Sequence, residues 1–403
     1  MHFFHLVHYI YIRRLFVMDG IRFVMVKTVC PALVLFFVVS FSVCNFGCRN
    51  SIEEIEVLEG DFSVPQIENF AVTGASTLEI GFSKKTVVQN LAVVSKTTES
   101  EFCDITAEYD EETQKTVVAL GTQTEVGEDY LIEGQVEDLH GNSLTFSIGF
   151  KGFNENPARV ILSEVRNAYG TASVKDEEGV SRSVHRSEYV ELYVLKGGNL
   201  CGIEICSASD GSEKKYTMPS IDVETGEYIT VHMRTVNAEG IDGEGMLSET
   251  ADDFTLSTHE DSCDSARDLW SDNTKSCFAD SDIVYVQNVY DGTILDALVF
   301  AKSSVGEWKE SFSGIVAAVE QSGVWGSSAS PENAVCSDFI TTSAATRSYS
   351  RQNIDDAIAA YAAGEPIVNG KDVWMITANT GSGKKLVAGI TPGMKNSSNE
   401  YKK

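Results

Sequence analysis

The sequence predicts an all-β protein in which two tandem β-sandwiches follow an N-terminal signal segment. From Pro65 onward, apolar and polar residues alternate over short runs of about 5 to 8 residues, as they do in half-buried strands. Gly, Asn, Asp and Ser separate these runs and supply turns. A long helical period first occurs at 353–363, which predicts one surface helix late in the chain. Strands at this spacing, with turn residues between them, are typical of β-sandwiches.

The first 48 residues have the composition of an export signal. Residues 28–43 form a run of sixteen without charge, which falls short of the roughly 20 apolar residues that a membrane-spanning helix needs. Gly47 directly precedes Cys48, which resembles the lipid-attachment site of bacterial lipoproteins, although the usual Leu three positions before the cysteine is absent. The basic residues before the uncharged run are Arg13, Arg14, Arg22 and Lys27.

We therefore predict that acyl chains on Cys48 anchor the mature protein to a membrane. The predicted location is the bacterial cell envelope, outside the cytoplasm, in the outer membrane or facing the periplasm, with surface exposure left open. An ordinary signal peptide and an uncleaved anchor helix are the alternatives. A start at Met18 or Met25 would leave a signal of more ordinary length.

The chain is strongly acidic. Without the four basic residues and the one acidic residue of segment 1–48, 27 Lys and Arg stand against 58 Asp and Glu, a net charge of −31. This charge repels nucleic-acid phosphates, so we expect no nucleic-acid partner. It suits a solvated surface and could also supply carboxylates to divalent cations.

Six cysteines follow residue 48, and six thiols allow fifteen pairings, so their order does not fix the connectivity. No pair has the CxxC spacing, and no His lies beside them at zinc-ligand spacing. Cys263 and Cys277 bracket a polar loop and form the predicted disulfide, whereas Cys201 and Cys206 are interpreted as core thiols. The remaining two are Cys103 and Cys336.

Residues 49–63 are predicted to form an acidic tether, and residues 64–150 the first folded domain. Its late stretch 138–142, Asp-Leu-His-Gly-Asn, is a predicted tight turn between two strands. The order of these pieces resembles the bacterial Ig-like domains of surface proteins, which implies a spacer or binding module rather than chemistry. The predicted strands before and around this turn are 77–82, 115–120 and 130–136.

Residues 158–397 are predicted to form the second domain. Asp291-Gly292 lies between two β-rich runs and indicates a hairpin. The opening piece contains Glu164 and Glu191, and the closing piece reads Thr-Pro-Gly-Met-Lys-Asn at 391–396. In this order the pieces resemble the lamin tail domain, an immunoglobulin-type β-sandwich of nuclear lamins and many secreted bacterial proteins.

The lamin-tail resemblance implies that the two glutamates belong to the signature of the fold. Val194 stands where the family usually has Asn, which puts the hydrogen bonding of that turn in question. The stretches at about 236–280 and 302–370 are longer than in the family and are predicted insertions, the second of which carries the surface helix.

The acidic insertion contains candidate ligands for calcium, which prefers several oxygen atoms from flexible loops. The calcium-loop signature D-x-D-x-D-G is absent, so a solvated acidic loop is the alternative reading. No other cofactor is expected. The candidate calcium ligands are Asp264, Asp268, Asp280 and Asp282.

Catalytic motifs have little support in the sequence, and we assign no catalytic residue. Residues 378–385 nearly spell a phosphate-binding loop, but Lys385 stands where the hydroxyl residue is needed, so a turn is predicted. Glu164 and Glu191 also resemble the paired carboxylates of glycosidases, but the lamin-tail pattern assigns them to the fold. The histidines His140, His185, His232 and His259 lie in no nucleophile motif.

These features together predict a non-catalytic, envelope-anchored lipoprotein whose sandwiches bind or display a partner, either a protein or a carbohydrate. The alternative is an accessory or substrate-targeting component of a secreted nuclease or phosphoesterase system, because bacterial lamin tail domains often accompany such modules. β-Sandwich architecture alone does not decide between these two functions.

Overall fold

Strands form both layers of each sandwich, which confirms the all-β class predicted from the sequence. The computed structural model describes residues 60–175, 178–209, 214–236, 247–250, 252–340, 346–380 and 388–402. The strands of the first sandwich are β1 (Ile67–Gly74), β2 (Thr77–Phe82), β3 (Thr86–Ser95), β4 (Thr106–Asp110), β5 (Lys115–Ala119), β6 (Asp129–Asp138) and β7 (Ser143–Lys151).

The first sandwich packs a four-stranded sheet, in the order β1-β2-β5-β4, against a three-stranded sheet, β3-β6-β7. All pairs are antiparallel. Alternate residues of β2 and β6 point inward, and Leu78, Ile80 and Ile132 are almost completely buried in one core. The three predicted strands therefore match β2, β5 and β6.

The predicted turn at 138–142 joins β6 to β7. Asp138 Oδ1 accepts hydrogen bonds from the backbone N–H groups of His140 (2.8 Å) and Asn142 (2.9 Å). Gly141 has φ +83°, which a residue with a side chain rarely adopts. Hydrogen bonding to Asn142 lowers the pKa of Asp138 to about 2. His140 is exposed, so it contributes its backbone to the turn and has no buried role.

Fifteen further strands lie in the described part of the second sandwich. They are β8 (Arg159–Arg166), β9 (Gly170–Lys175), β10 (Ser181–Arg186), β11 (Tyr189–Lys196), β12 (Gly198–Asn199), β13 (Ile203–Ser207), β14 (Lys215–Thr217), β15 (Asp222–Val223), β16 (Tyr228–His232), β17 (Arg267–Trp270), β18 (Asp282–Asn288), β19 (Ile294–Ala301), β20 (Val335–Cys336), β21 (Arg347–Arg351) and β22 (Trp374–Ala378).

Two large sheets of the second sandwich enclose its core. One has the order β17-β16-β11-β8-β21-β22 and the other β14-β13-β18-β19-β20. The β16–β17 and β19–β20 pairs are parallel, and the remaining neighbours are antiparallel. β9 pairs with β10 and β12 with β15 in two small ribbons. The stretches predicted as insertions supply β17, β20 and β21, so they contribute strands to both sheets.

Two local features of the second sandwich lie at positions that the sequence singled out. The hairpin predicted at Asp291-Gly292 joins β18 to β19, and Gly292 has φ +72°. Val194 is completely buried in the core, and β11 continues past it to Lys196. Val194 is therefore part of a strand and not of a turn.

Two α-helices, α1 (Ser313–Ser322) and α2 (Ile354–Ala363), lie in the described part of the 302–370 stretch. The predicted surface helix is α2, which buries Ile354 and Ala357 against Ile161 and Leu195 of the six-stranded sheet. The second helix, α1, was not predicted. Short 3-10 helices cover Glu310–Phe312, Pro331–Asn333 and Lys371–Val373.

The segment between the two sandwiches is fixed by hydrogen bonds within the unit 62–403. Asn154 is buried, and its Nδ2 donates to the carbonyl oxygens of Asn199 (2.9 Å) and Cys201 (2.7 Å). Tyr290 Oη donates to the carbonyl of Gly152 at 2.7 Å, and its ring packs on Phe153. These contacts hold the linker on the hairpin of the second sandwich.

Candidate functional site

Several predicted features lie outside the described residues. These are Cys48 with the rest of the signal segment, most of the 49–63 tether, and most of the phosphate-loop-like motif, since 381–387 is not described. Among the described residues, no helix is both long enough and apolar enough to cross a bilayer.

The four carboxylates predicted to bind calcium do not converge, so that prediction is wrong. Asp268 accepts a 2.8 Å hydrogen bond from His232 Nε2, and Asp282 accepts from three backbone N–H groups and a serine hydroxyl. Asp280 is exposed and pairs with Lys302. Within the described ranges, no three His, Cys, Asp or Glu side chains are grouped to hold a metal. The candidates were Asp264, Asp268, Asp280 and Asp282.

The predicted disulfide between Cys263 and Cys277 is also wrong, because both are free thiols in different surroundings. Cys263 Sγ lies 3.1 Å from Ser265 Oγ in a half-exposed loop. Cys277 is completely buried in the core of the second sandwich, where burial raises the pKa of its thiol well above the ordinary value. Cys201 and Cys206 are buried free thiols, as predicted.

Glu164 and Glu191 do come together. They are register partners on the neighbouring strands β8 and β11, and both are completely buried. They lie on the outer face of the six-stranded sheet, since Val190 and Leu192, their alternate neighbours, point into the core. Glu164 and Glu191 therefore form a buried carboxylate pair.

The chain's own residues 391–396, which we call the closing segment, cover this pair. Thr391 donates its backbone N–H and its hydroxyl to Glu164 Oε2, both at 3.1 Å. Gly393 N–H donates to Glu191 Oε2 at 2.6 Å. Asn396 Nδ2 donates to the carbonyls of Ser163 (2.9 Å) and of a residue on β21. The two glutamates therefore hold the closing segment against the six-stranded sheet.

Hydrogen bonding distinguishes the two carboxyl groups. Glu164 also accepts from the hydroxyls of Tyr189 (2.7 Å) and Ser348. Burial raises the pKa of Glu164, and these hydrogen bonds oppose the rise. Burial and the nearby charge of Glu164 raise the pKa of Glu191 well above its ordinary value. The pKa of Glu191 is therefore raised further than that of Glu164, which favours a proton on Glu191.

Beside this pair, the same face of the sheet carries a buried histidine cluster. His232 stacks on Trp270 with ring centroids 3.8 Å apart, and its Nε2 bonds Asp268. Burial lowers the pKa of His259, which packs edge-on against both rings, to about 4. Glu249 Oε2 accepts from the Asp268 N–H at 2.6 Å, and burial raises the pKa of Glu249 to about 7.

Two arginines neutralise a further buried carboxylate in this cluster. Arg166 Nη2 lies 2.6 Å from Asp261 Oδ2, and Arg186 pairs with the other oxygen. Burial alone would raise the pKa of Asp261, but the two guanidinium groups hold it well below its ordinary value. The His232–Asp268 pair resembles half of a catalytic triad, but it is fully buried and closed to substrate.

An open concavity lies instead on the second sandwich, next to the linker, and we call it the junction groove. One cavity of about 410 Å³ lies between β8, β19 and the ends of both α-helices. A second, of about 320 Å³, lies between the linker and the β18–β19 hairpin. Both are lined by Arg159, Leu295 and Tyr361, so they adjoin at these residues.

Apolar side chains line both halves of the junction groove. The first half includes Ile161, Val324 and Ile367, and the second includes Phe153 and Tyr290. A mostly apolar concavity with a few fixed polar groups is the usual form of a binding site. It is the candidate functional site of the described chain.

The junction groove was not predicted from the sequence. Its residues come from the linker, three strands and two helices, which no local motif connects. Arg159 was the one available signal, as a charged residue directly before the apolar run Val-Ile-Leu of β8. The buried His232–Asp268 pair was not predicted either, because the two residues are 36 positions apart and belong to no common motif.

The profile of a family described as "TP_1001_2nd: protein second domain" matches residues 158–376. An uncharacterized protein of Treponema pallidum (strain Nichols) is 30% identical over 185 residues, which cover 46% of this chain. The matched part spans 42% of that relative's length.

Solved structures give more distant similarities. A DUF4876 family protein from Bacteroides thetaiotaomicron aligns with a TM-score of 0.27 at 10% identity, covering 79% of this chain and 94% of that one. The N-terminal part of the bacterial S-layer protein SbsC aligns with a TM-score of 0.22 at 16% identity, covering 33% of this chain and 41% of that one.

Proposed function

The chain belongs to the second-domain family whose profile matches residues 158–376, and we propose that this member is an exported, non-catalytic envelope lipoprotein that binds a partner. The observation that carries the proposal is the N-terminal pattern of basic residues, an uncharged run and Gly47-Cys48. Acylation of Cys48 would make residues 49–63 a tether between the lipid and the first sandwich. The acidic surface suits an exposed position in solvent.

The burial of the reactive groups supports a non-catalytic role. The carboxylate pair Glu164–Glu191 accepts hydrogen bonds from the closing segment, and the His232–Asp268 pair lies under Trp270. Each is completely buried, so a substrate would have to displace part of the fold to reach it. The junction groove, by contrast, is open and largely apolar, which favours binding.

Lipid attachment is tested by metabolic labelling of cells with a palmitate analogue. Wild-type protein is expected to take up the label, and Cys48→Ser is expected to lose it, because the thiol is the acyl acceptor. Cys44→Ser is the matched control within the same segment and should remain labelled. Persistent labelling of Cys48→Ser overturns the assignment. Protease treatment of intact cells then determines whether the anchored protein is surface-exposed.

The non-catalytic role is tested separately with purified full-length protein. Nucleic acids and phosphoesters are incubated with the protein in the presence of Mg²⁺, Mn²⁺ or Zn²⁺. No turnover above buffer is expected. Hydrolysis that survives further purification and is lost with the protein would overturn the non-catalytic proposal and favour a hydrolase system.

A further inference from the structure

Four large apolar side chains are exposed at one end of the first sandwich. The exposed fraction is 62% for Phe62, 50% for Val64, 58% for Val87 and 80% for Leu139. Single apolar side chains on a surface are ordinary, but a group of them marks a contact with another molecule or with lipid. We call these four residues the apolar end.

Lys84 connects the segments that carry these four side chains. Its Nζ donates to the carbonyl oxygen of Ser63 at 2.6 Å and pairs with Asp138 Oδ2 at 3.4 Å. Ser63 lies between the first two of the four residues, and Asp138 directly precedes the last. Val87 is the register partner of Glu137, the residue before Asp138 on β6. The four side chains therefore lie around one lysine, at the same end of the sandwich.

The opposite end of the first sandwich contacts the second sandwich. The loop 120–128 lies at that opposite end because it joins the end of β5 to the start of β6. Ser220 Oγ of the second sandwich donates to the carbonyl oxygen of Val126 in this loop at 3.2 Å. The linker 152–157 also leaves from that side, after β7. The apolar end therefore points away from the second sandwich.

The chain enters the first sandwich at the apolar end. Fourteen positions separate Phe62 from Cys48, and an extended chain of that length spans at most about 50 Å. With Cys48 acylated, this short connection keeps the apolar end close to the lipid. The second sandwich lies beyond the far end of the first and is held less closely. The place where the tether joins the fold therefore favours lipid as the surface that covers these side chains.

The positive charges at the apolar end are balanced by carboxylates. Lys84 pairs with Asp138, and Lys85 pairs with Glu111. Binding to anionic lipid depends on clusters of Lys and Arg that face the headgroups, and here both lysines already have carboxylate partners. Apolar side chains that enter the headgroup region gain from burial without such a cluster. The apolar end therefore suits a zwitterionic bilayer surface.

We propose that the apolar end rests on the bilayer to which the chain is anchored, with its four side chains inserted among zwitterionic headgroups. The inference rests on the proposed lipid anchor and gives the anchored protein an orientation. The first sandwich stands on the membrane, and the second sandwich, with its junction groove, is held away from the lipid.

The test is quenching of tryptophan fluorescence by brominated phosphatidylcholine in nanodiscs that carry the full-length protein. The four natural tryptophans all follow residue 158, so Leu139→Trp places the one tryptophan of the first sandwich at the apolar end. We expect brominated lipid to quench at least half of the emission that this substitution adds. Val368→Trp is the matched control, at a position of the second sandwich that is 68% exposed. Its added emission should lose less than a tenth.

Serine at Phe62, Val64 and Val87 together, in the Leu139→Trp protein, should reduce this quenching at least two-fold. All three side chains are exposed, so the fold should tolerate the change. Quenching that is absent, or that the three serines leave unchanged, would overturn the proposal. A blue-shifted emission that brominated lipid does not quench would also overturn it, by assigning the apolar end to a protein contact.

Mass spectrometry of the same samples reports acylation of Cys48 independently of the fluorescence. Acylated protein without quenching at the apolar end refutes the orientation and leaves the lipid anchor standing. Protein without acyl chains refutes the anchor and the orientation together. The two proposals can therefore be told apart when one of them fails.

Discussion

Glu164 and Glu191 lie directly opposite each other on β8 and β11, and each accepts a hydrogen bond from the closing segment, at Thr391 and Gly393. Adjacent buried carboxylates would repel if both were ionised, so their contribution to stability depends on protonation of one of them and on these donors. Gly393 lies 202 positions after Glu191 in the sequence, and the fold brings the two residues into contact.

Glu164→Gln should destabilise the protein more than Glu191→Gln at neutral pH. The Glu164 carboxylate accepts hydrogen bonds from Tyr189, Ser348 and Thr391. The NH₂ group of a glutamine would face these donors and could not accept from them, which would cost about 1–3 kcal/mol of stability. Glu191 holds its proton more firmly, so the amide resembles its neutral form. Urea unfolding at pH 7 measures both variants. Equal losses would contradict the assigned proton position.

The same pair predicts a pH dependence. The pKa of Glu191 in the folded protein is raised by burial, so its contribution is complete below the unfolded pKa and is lost as pH rises through the folded pKa. Glu191→Gln should therefore reduce the fall in unfolding free energy above pH 4.5, by at most about 1.4 kcal/mol per pH unit. A fall as steep as in wild type would show that the pKa of Glu191 is not raised in the folded protein.

Glu249 gives a second pH prediction with a defined window. Burial raises its pKa from 4.5 to about 7, so folding favours the protonated form, and stability falls as pH rises from about 4.5 to about 7. Glu249→Gln should remove this part of the fall in unfolding free energy, because glutamine does not titrate. His259, whose pKa is lowered to about 4, gives the opposite slope below pH 6.5, so the difference between variant and wild type is the quantity to measure.

Gly393 and Gly292 form a matched pair for testing the closing segment. Both have positive φ, +76° and +72°, so alanine strains both backbones by about 1 kcal/mol. A Cβ at Gly393 would also lie 2.6 Å from Cys263 Cβ and 2.8 Å from Ala266 Cβ, whereas nothing lies within 4 Å at Gly292. Gly393→Ala should lower the melting temperature clearly more than Gly292→Ala. Similar decreases in melting temperature for the two variants would mean that the closing segment can move to accommodate the added Cβ without loss of stability.

Local patterns made much of the fold predictable from the sequence. Alternation in Thr77–Phe82 placed β2 at its observed bounds, and Asp291-Gly292 placed a hairpin. The period of α2 is visible because Ile354, Ala357 and Ile358 share a face. α1 was not predicted, and Val319 is the one buried residue of this helix.

The candidate site was less predictable because its residues meet only through tertiary packing. The many acidic residues of this stretch suggested calcium ligands at Asp268 and Asp282. The sequence does not show that each of these carboxylates already accepts hydrogen bonds from nearby backbone N–H groups. Two cysteines flanking a loop suggested a disulfide, but Cys277 faces the core. Arg159 and Tyr361 lie far apart in sequence, so the groove they share is a property of the assembled sandwich.

The linker contacts predict that the two sandwiches unfold together. Asn154 is buried and donates to the carbonyls of Asn199 and Cys201, and Asn154→Ala would leave both acceptors unsatisfied, at a cost of about 2 kcal/mol. Because those bonds join the linker to the second sandwich, we expect calorimetry of Asn154→Ala to resolve two transitions where wild type shows one. Asn90→Ala, on the exposed side of β3, is the control and should keep one transition. Faster amide exchange confined to residues 152–157 in Asn154→Ala would support the same assignment, and a single unshifted transition would show that the linker bonds do not couple the sandwiches.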